Sequence, residues 1–228
     1  MDALVNFGID CKFMVGQGYD GASAMSGRFH GEQQYVPEKY DLAVYVHCAS
    51  HRLNLAISDA YAIPVIRNCM ESLRSGYNVF NIPKRQAILT LSFEKLTPEA
   101  SATRLKQLCA TRWIQRHESV LVFLELQNAT IDALENISSW NDKTTSSAAV
   151  QLLAVIRCTE FQVSLRVISK VFAITLPFNR MLQTENLDLA ATLELTVHPN
   201  NILTDIRNNA VEEFQSIFNN EMQMCEEI

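Results

Sequence analysis

Three short stretches carry residue types that could do chemistry. The first, "VGQGYDGASAMSG" at 15 to 27, fits G-x-G-x-x-G through Gly16, Gly18 and Gly21 and places Asp20 inside the pattern. A dinucleotide-binding loop presents backbone amides to a pyrophosphate and finds an acid at the end of the next strand for the ribose. Asp20 would instead oppose the phosphate charge, and Asp41 precedes the second apolar run where the pattern needs it to follow. No nucleotide cofactor is expected. The remaining readings are that the glycines turn the chain so that Asp20 projects as a metal-binding carboxylate, or that Asp20 caps a helix beginning at Gly21. A two-metal phosphoryl-transfer site needs several carboxylates around Mg²⁺ or Mn²⁺, so Asp20 binds metal only if further carboxylates are supplied.

The second stretch, "HCASHRLNL", sets Cys48 and His51 at C-x-x-H spacing just after His47. A structural zinc needs four ligands, and Cys69 and His30 are the candidates to complete it. The alternative is a Cys48 and His51 pair buried and hydrogen-bonded where strand meets helix. The third, "CATRWIQRHES", joins Trp113 to Arg112 and Arg116. With Arg104 and Lys106 it forms a run from Ala100 to His117 of four bases and no acid. Tryptophan stacks on an unpaired base while arginine neutralises phosphate, so the combination suits nucleic acid. Trp113 as a core anchor among snorkelling arginines fits equally well.

Elements must position these groups. Phe13 to Val15 and Leu42 to Val46 read as strands, each followed by a helix, which predicts parallel strands with functional groups at their carboxyl ends. Two strands alone do not make a stable open sheet, so further strands are expected to come from outside this chain. All seven glycines lie at or before Gly76, and from Pro64 the pattern turns helical. One helix is expected from about Ile114 to Leu134, burying Leu121, Leu124, Ile131 and Leu134, and Leu53, Leu55 and Ile57 are expected to pack the helix after the second strand. Another stripe joins Leu203, Ile206, Ala210, Phe214 and Ile217, and "SSWNDKTTSS" at 138 to 147 reads as a polar loop between helical groups. The fold class expected is α/β turning to mostly α, with domains at 1 to 62 and 63 to 228.

Composition narrows the setting. Hydrophobic residues make up 48% of the 228, enough for a real core. The N-terminus has no signal-peptide pattern and no run of about 18 uncharged apolar residues is present, so an intracellular protein without a membrane span is expected. Six irregularly spaced cysteines suit reduced thiols. Net charge is −6, yet residues 185 to 228 hold nine acids against Arg207 alone, leaving the remainder slightly basic.

"GQGYDGASAMSG", "YVHCASHRLNL", "IPKRQAIL", "LCATRWIQRHES" and "MLQTENLDLAAT", in this order and spacing, resemble the hAT superfamily of DNA transposases, in particular domesticated members related to MYM-type zinc-finger proteins. The resemblance covers nearly the whole chain. It implies a partial RNase H-like core followed by a large all-helical insertion, nuclear localisation, and DNA or nuclear proteins as partners. Family chemistry uses an Asp, Asp, Glu triad with two Mg²⁺ or Mn²⁺ ions. By motif Asp20 matches the second aspartate, Cys48 and His51 match a C-x-x-H of structural role, and Arg112 and Trp113 match the pair that supports a flipped base. The first aspartate and the glutamate have no counterpart here, "GEQQ" stands at 31 to 34 where relatives carry Gly-Val-Gln, and the zinc-finger and dimerisation segments are absent. The expectation is therefore a transposase-derived chain without catalysis or cofactor of its own; the alternatives are a helical protein-interaction module that regulates transcription, or one part of a longer active transposase.

Overall fold

The computed structural model describes residues 6–27, 30–108, 113–184 and 189–226. Within them the chain is mostly helical, with one two-stranded sheet, and divides into two compact units, 1–59 and 60–228.

In the first unit, Asp10 accepts the Lys12 N–H and closes a 3-10 turn over Cys11–Phe13. Strand β1 therefore forms at Gly16–Tyr19, just beyond the apolar run from Phe13 to Val15 that reads as the strand. It pairs in parallel with β2 (Val44–His47), register Gly16 with Val44 through Tyr19 with His47. The crossover carries two short helices, α1 (Ser23–Ser26) and α2 (Glu32–Lys39), and α3 (Ala49–Ala60) follows β2. Gln17 holds the crossover down: its buried side-chain amide donates to the carbonyls of Gln33 (3.2 Å) and Ala43 (3.3 Å). The opposite sheet face, made by Gly16, Gly18, Val44 and Val46, is exposed. In α3 Ile57 is buried and Leu53 half-buried, but Leu55 is exposed, because its position on the helix turns it away from the packed side.

The second unit is a helical bundle. Pro64 and Pro83 open α4 (Pro64–Phe80) and α5 (Pro83–Leu96), where the missing N–H of proline costs nothing. α4 buries Ile66, Cys69, Met70, Leu73, Val79 and Phe80, a stripe at helical spacing. The helix expected from 114 to 134 is two helices, α6 (Trp113–Glu125) and α7 (Gln127–Ser138), divided at Leu126 with φ −103° and ψ 11°. The break turns the apolar stripe: Val120, Phe123, Leu126, Ile131 and Leu134 are buried, Leu124 is half-buried, and Leu121 stays 43% exposed.

The polar stretch at 138 to 147 contains a short connection, 139 to 142, between two helices, and its flanks belong to the helices themselves. Its aspartate, Asp142, caps α8 (Lys143–Ile156) through the Thr144 N–H, so α7 and α8 form a tight antiparallel-type hairpin packed along its length. Next, α9 (Thr159–Met181) packs against α4, α6, α10 (Leu189–Asn208) and α11 (Ala210–Glu226). By length and composition α9 could cross a membrane. Here it is the central helix of the bundle, burying Phe161, Leu165, Ile168 and Phe172. The stripe expected from Leu203 to Ile217 is divided between α10 and α11 at Asn209, and only Ile206 and Ile217 are even half-buried.

Candidate functional site at the strand ends

Parallel pairing puts the ends of β1 and β2 side by side, where the Cys48 N–H donates to the Tyr19 carbonyl at 2.9 Å. Asp20, Gly21, His47, Cys48 and His51 follow from those two ends. Gly16 and Gly18 lie within β1 opposite Val44 and Val46, so neither contributes to a phosphate-cradling loop. Asp20 is exposed, and its Oδ1 accepts the Ala22 N–H at 3.0 Å, an Asx turn. It is not a helix cap: α1 starts at Ser23 with Ala22 at the cap position, and it runs for four residues only.

Gly21 has a steric reason. The His47 and His51 rings stack with centroids 5.4 Å apart, and a Cβ on residue 21 would lie 3.1 Å from His51 Nε2 and 3.5 Å from His47 Nε2. Both imidazoles thus close on the space that glycine leaves empty. His47 Nε2 is buried without a hydrogen-bond partner among the described residues. Spacing alone pointed to Cys48 and His51; the stacking partner of His51 is His47, one residue before the C-x-x-H.

The other proposed ligands lie elsewhere. Cys48 is exposed, not buried at the strand-helix junction, because it follows the last paired residue of β2. His30 is exposed in the crossover. Cys69 belongs to the helical core, where its thiol lies 3.8 Å from the Phe161 carbonyl and burial pushes its pKa up to about 12. Among the described residues no group of three or more His, Cys, Asp or Glu is arranged to hold a metal ion. Hard divalent cations need oxygen donors. A lone carboxylate folded back on its own turn does not by itself make a two-metal site.

The basic run meets acids once folded. Lys106 pairs with Glu118 at 2.8 Å, and the Ser101 N–H and hydroxyl both donate to Glu125. Arg104 is exposed and lines a cleft of about 250 Å³ with Tyr77, Asn81 and Gln86. Arg112 lies outside the described residues, and Trp113 opens α6. Arg116 is half-buried near the Tyr61 hydroxyl, whose pKa burial raises against the opposing pull of that guanidinium. His117, its neighbour in sequence, is buried edge-on to Phe172 at 5.5 Å, and burial followed by the Arg180 charge lowers its pKa against the opposing effect of Glu118. Spacing gave no sign of Lys84, which stands 4.4 Å over the Trp140 ring.

The chain is similar to the 52 kDa repressor of the inhibitor of the protein kinase. The human protein is 23% identical over 205 residues and the mouse protein 23% over 206, in each case across 84% of this chain. These stretches make up 26% and 27% of the two relatives, so the chain spans about a quarter of their length. No family model matches the chain, and no solved structure matches it. Covering 84% of this chain, the similarity extends into both units.

Proposed function

We propose that this chain is part of a transposase-derived nuclear protein that acts by binding, not by cutting DNA. The observation that carries this reading is the donor set at the strand ends. One exposed carboxylate holds its own turn, and the imidazoles of His47 and His51 close on the next residue, Gly21. Position at the carboxyl ends of parallel strands is where a metal-dependent site would sit, and that chemistry needs more carboxylates than Asp20. The resemblance to hAT transposases and the similarity to a repressor support a regulatory descendant. In it, residues 6 to 59 contribute two strands to a larger RNase H-like sheet, and the helical unit corresponds to the family's insertion. The exposed face of Gly16, Gly18, Val44 and Val46 is where additional structure would cover the sheet. Partners are nuclear proteins, or DNA contacted through Arg104, Arg112, Trp113 and Arg116.

The test is a nicking and strand-transfer assay on supercoiled DNA with Mg²⁺ and with Mn²⁺, using wild type and Asp20→Ala. No product is expected from either chain. Metal-dependent nicking by the wild type that Asp20→Ala abolishes would overturn the proposal.

A further inference from the structure

The C-terminal helix leaves an apolar side uncovered. In α11, Glu213 and Ile217 are half-buried; Glu213 makes an ion pair with Lys170 of α9. Val211 (74% exposed), Phe214 (54%) and Phe218 (38%) lie on another side of the helix, at the three- and four-residue steps that put side chains in one row. The Phe214 and Phe218 rings stack at 6.3 Å, and with Ala210, Val211 and Gln215 they border an open hollow of about 460 Å³. Large exposed aromatic side chains are the residue type that most often anchors a partner.

Charge decides what fits there. α11 carries Glu212, Glu213, Glu221 and Glu226 and no base. Glu213 is neutralised by Lys170, while Glu212 is exposed next to Val211 in the chain. α10 adds Glu194 and Asp205 against Arg207. A second copy of this chain would bring the same acids against these. DNA phosphates and anionic lipid headgroups would be repelled as well. The remaining match is a cation-rimmed apolar surface as narrow as a single helix side.

We infer that the Val211, Phe214 and Phe218 side of α11 docks a basic amphipathic helix of a partner protein. The partner lays an apolar i, i+3, i+4, i+7 row over the stacked phenylalanines and sets Lys or Arg toward Glu212 and the acidic helix that carries it. The apolar row supplies affinity, and the charges supply orientation and rate of encounter. The inference specifies the partner class for the binding role proposed above. It depends on that role only in being a contact, so DNA nicking by this chain would leave it standing.

The probe is a fluorescently labelled peptide of roughly 18 residues, long enough for about five helical turns, with Leu in the i, i+3, i+4, i+7 row and Lys elsewhere. Two further peptides serve as comparisons: one keeps the leucines and replaces Lys by Glu, and one keeps the composition but disperses the leucines. Fluorescence anisotropy with the full chain is expected to show binding of the first peptide alone. Phe214→Ser should weaken it by about tenfold or more, as loss of an interface anchor does. Glu212→Lys should weaken it by several-fold, and raising salt from about 0.05 to about 0.5 M should do the same through screening. Leu91→Ser, at an exposed apolar position on α5, is expected to leave binding unchanged. Circular dichroism on each variant checks that the helices remain. Equal binding of the dispersed or Glu-bearing peptide, or full affinity in Phe214→Ser, overturns the inference. So does sedimentation showing a dimer that Phe214→Ser dissociates, since a second copy would then own this face.

Discussion

Asp132 gives a sharp test of how the helical unit is held. Standing on α7, it accepts from two groups of α5: the Ser92 hydroxyl at 2.7 Å and the Lys95 ammonium at 2.8 Å. Ser92 is buried, whereas Lys95 is mostly exposed. In Asp132→Ala the Ser92 hydroxyl loses a charged acceptor, which costs about 1 to 3 kcal/mol; a fallback bond to its own helix keeps the cost toward the lower half. The exposed Lys95 pair adds about 0.2 to 1 kcal/mol. Together these give a loss of about 1.5 to 3 kcal/mol, or a fall in melting temperature of about 3 to 12 °C at about 2 to 4 °C per kcal/mol for a unit of this size. Urea unfolding followed by helical circular dichroism would measure it, with Ser92→Ala and the double variant closing a cycle whose coupling should be about 1 kcal/mol or more. The pH dependence has a fixed sign. The Lys95 and Ser92 hydrogen bonds hold the Asp132 carboxyl below its ordinary value. Its contribution is therefore complete above the unfolded value of about 3.9 and is lost as pH falls through the lower folded one. The gap between wild type and variant should be level from neutral pH down to about pH 4 and then narrow. A loss under about 0.5 kcal/mol at neutral pH, or a gap that widens in acid, would refute the reasoning.

Two other outcomes follow from buried or crowded rings. His117 is neutral in its pocket because burial, reinforced by Arg180, lowers its pKa. The unfolded chain protonates near pH 6.5, so stability should be complete above that value and decline as pH falls toward the lower folded pKa, by up to about 1.4 kcal/mol per pH unit. His117→Gln should remove that slope; an unchanged slope in acid titrations of urea stability would contradict the assignment. At the strand ends, Gly21→Val places its Cβ 3.1 Å from His51 Nε2 whatever rotamer it adopts. A cost of about 1 to 3 kcal/mol is expected, as for overpacking, with displaced His47 and His51 ring resonances in NMR spectra. Unmoved rings would show that the imidazoles are not seated on this glycine.

Some of this was legible from residue pattern and some was not, and the difference has physical causes. The parallel pair was readable because two apolar runs separated by a glycine-bearing crossover can hardly be arranged otherwise. Its position was not, since Asp10 winds Cys11–Phe13 into a turn and pushes β1 onto Gly16–Tyr19, a segment with little strand propensity of its own. Leu134 and Leu121 share one helical stripe in sequence, yet Leu134 is fully buried and Leu121 is not, because the break at Leu126 rotates one half against the other. Periodicity assumes a continuous axis. The polar run at 138 to 147 shows the converse: polarity gave the turn, but it could not show that Asp142 starts the next helix almost at once. At the site, Asp20, His47, Cys48 and His51 were placed at the strand ends from sequence, while the stacking of His47 on His51 and the reason for Gly21 required the third dimension.

The strand ends also show how position and chemistry separate. Everything that places Asp20 persists: the parallel register, the Cys48 to Tyr19 backbone bond, and the turn that Asp20 itself closes through Ala22. None of these depends on a metal. A carboxylate whose local hydrogen bond stabilises its own turn has a structural duty whether or not it also serves a reaction, because its removal would disturb the strand exit. Gly21 is held in the same way, since any side chain there would meet two imidazoles. Residues at such a site can therefore be held in place by structural duties alone. The presence of such a motif does not by itself imply activity, which depends on the donors gathered around Asp20.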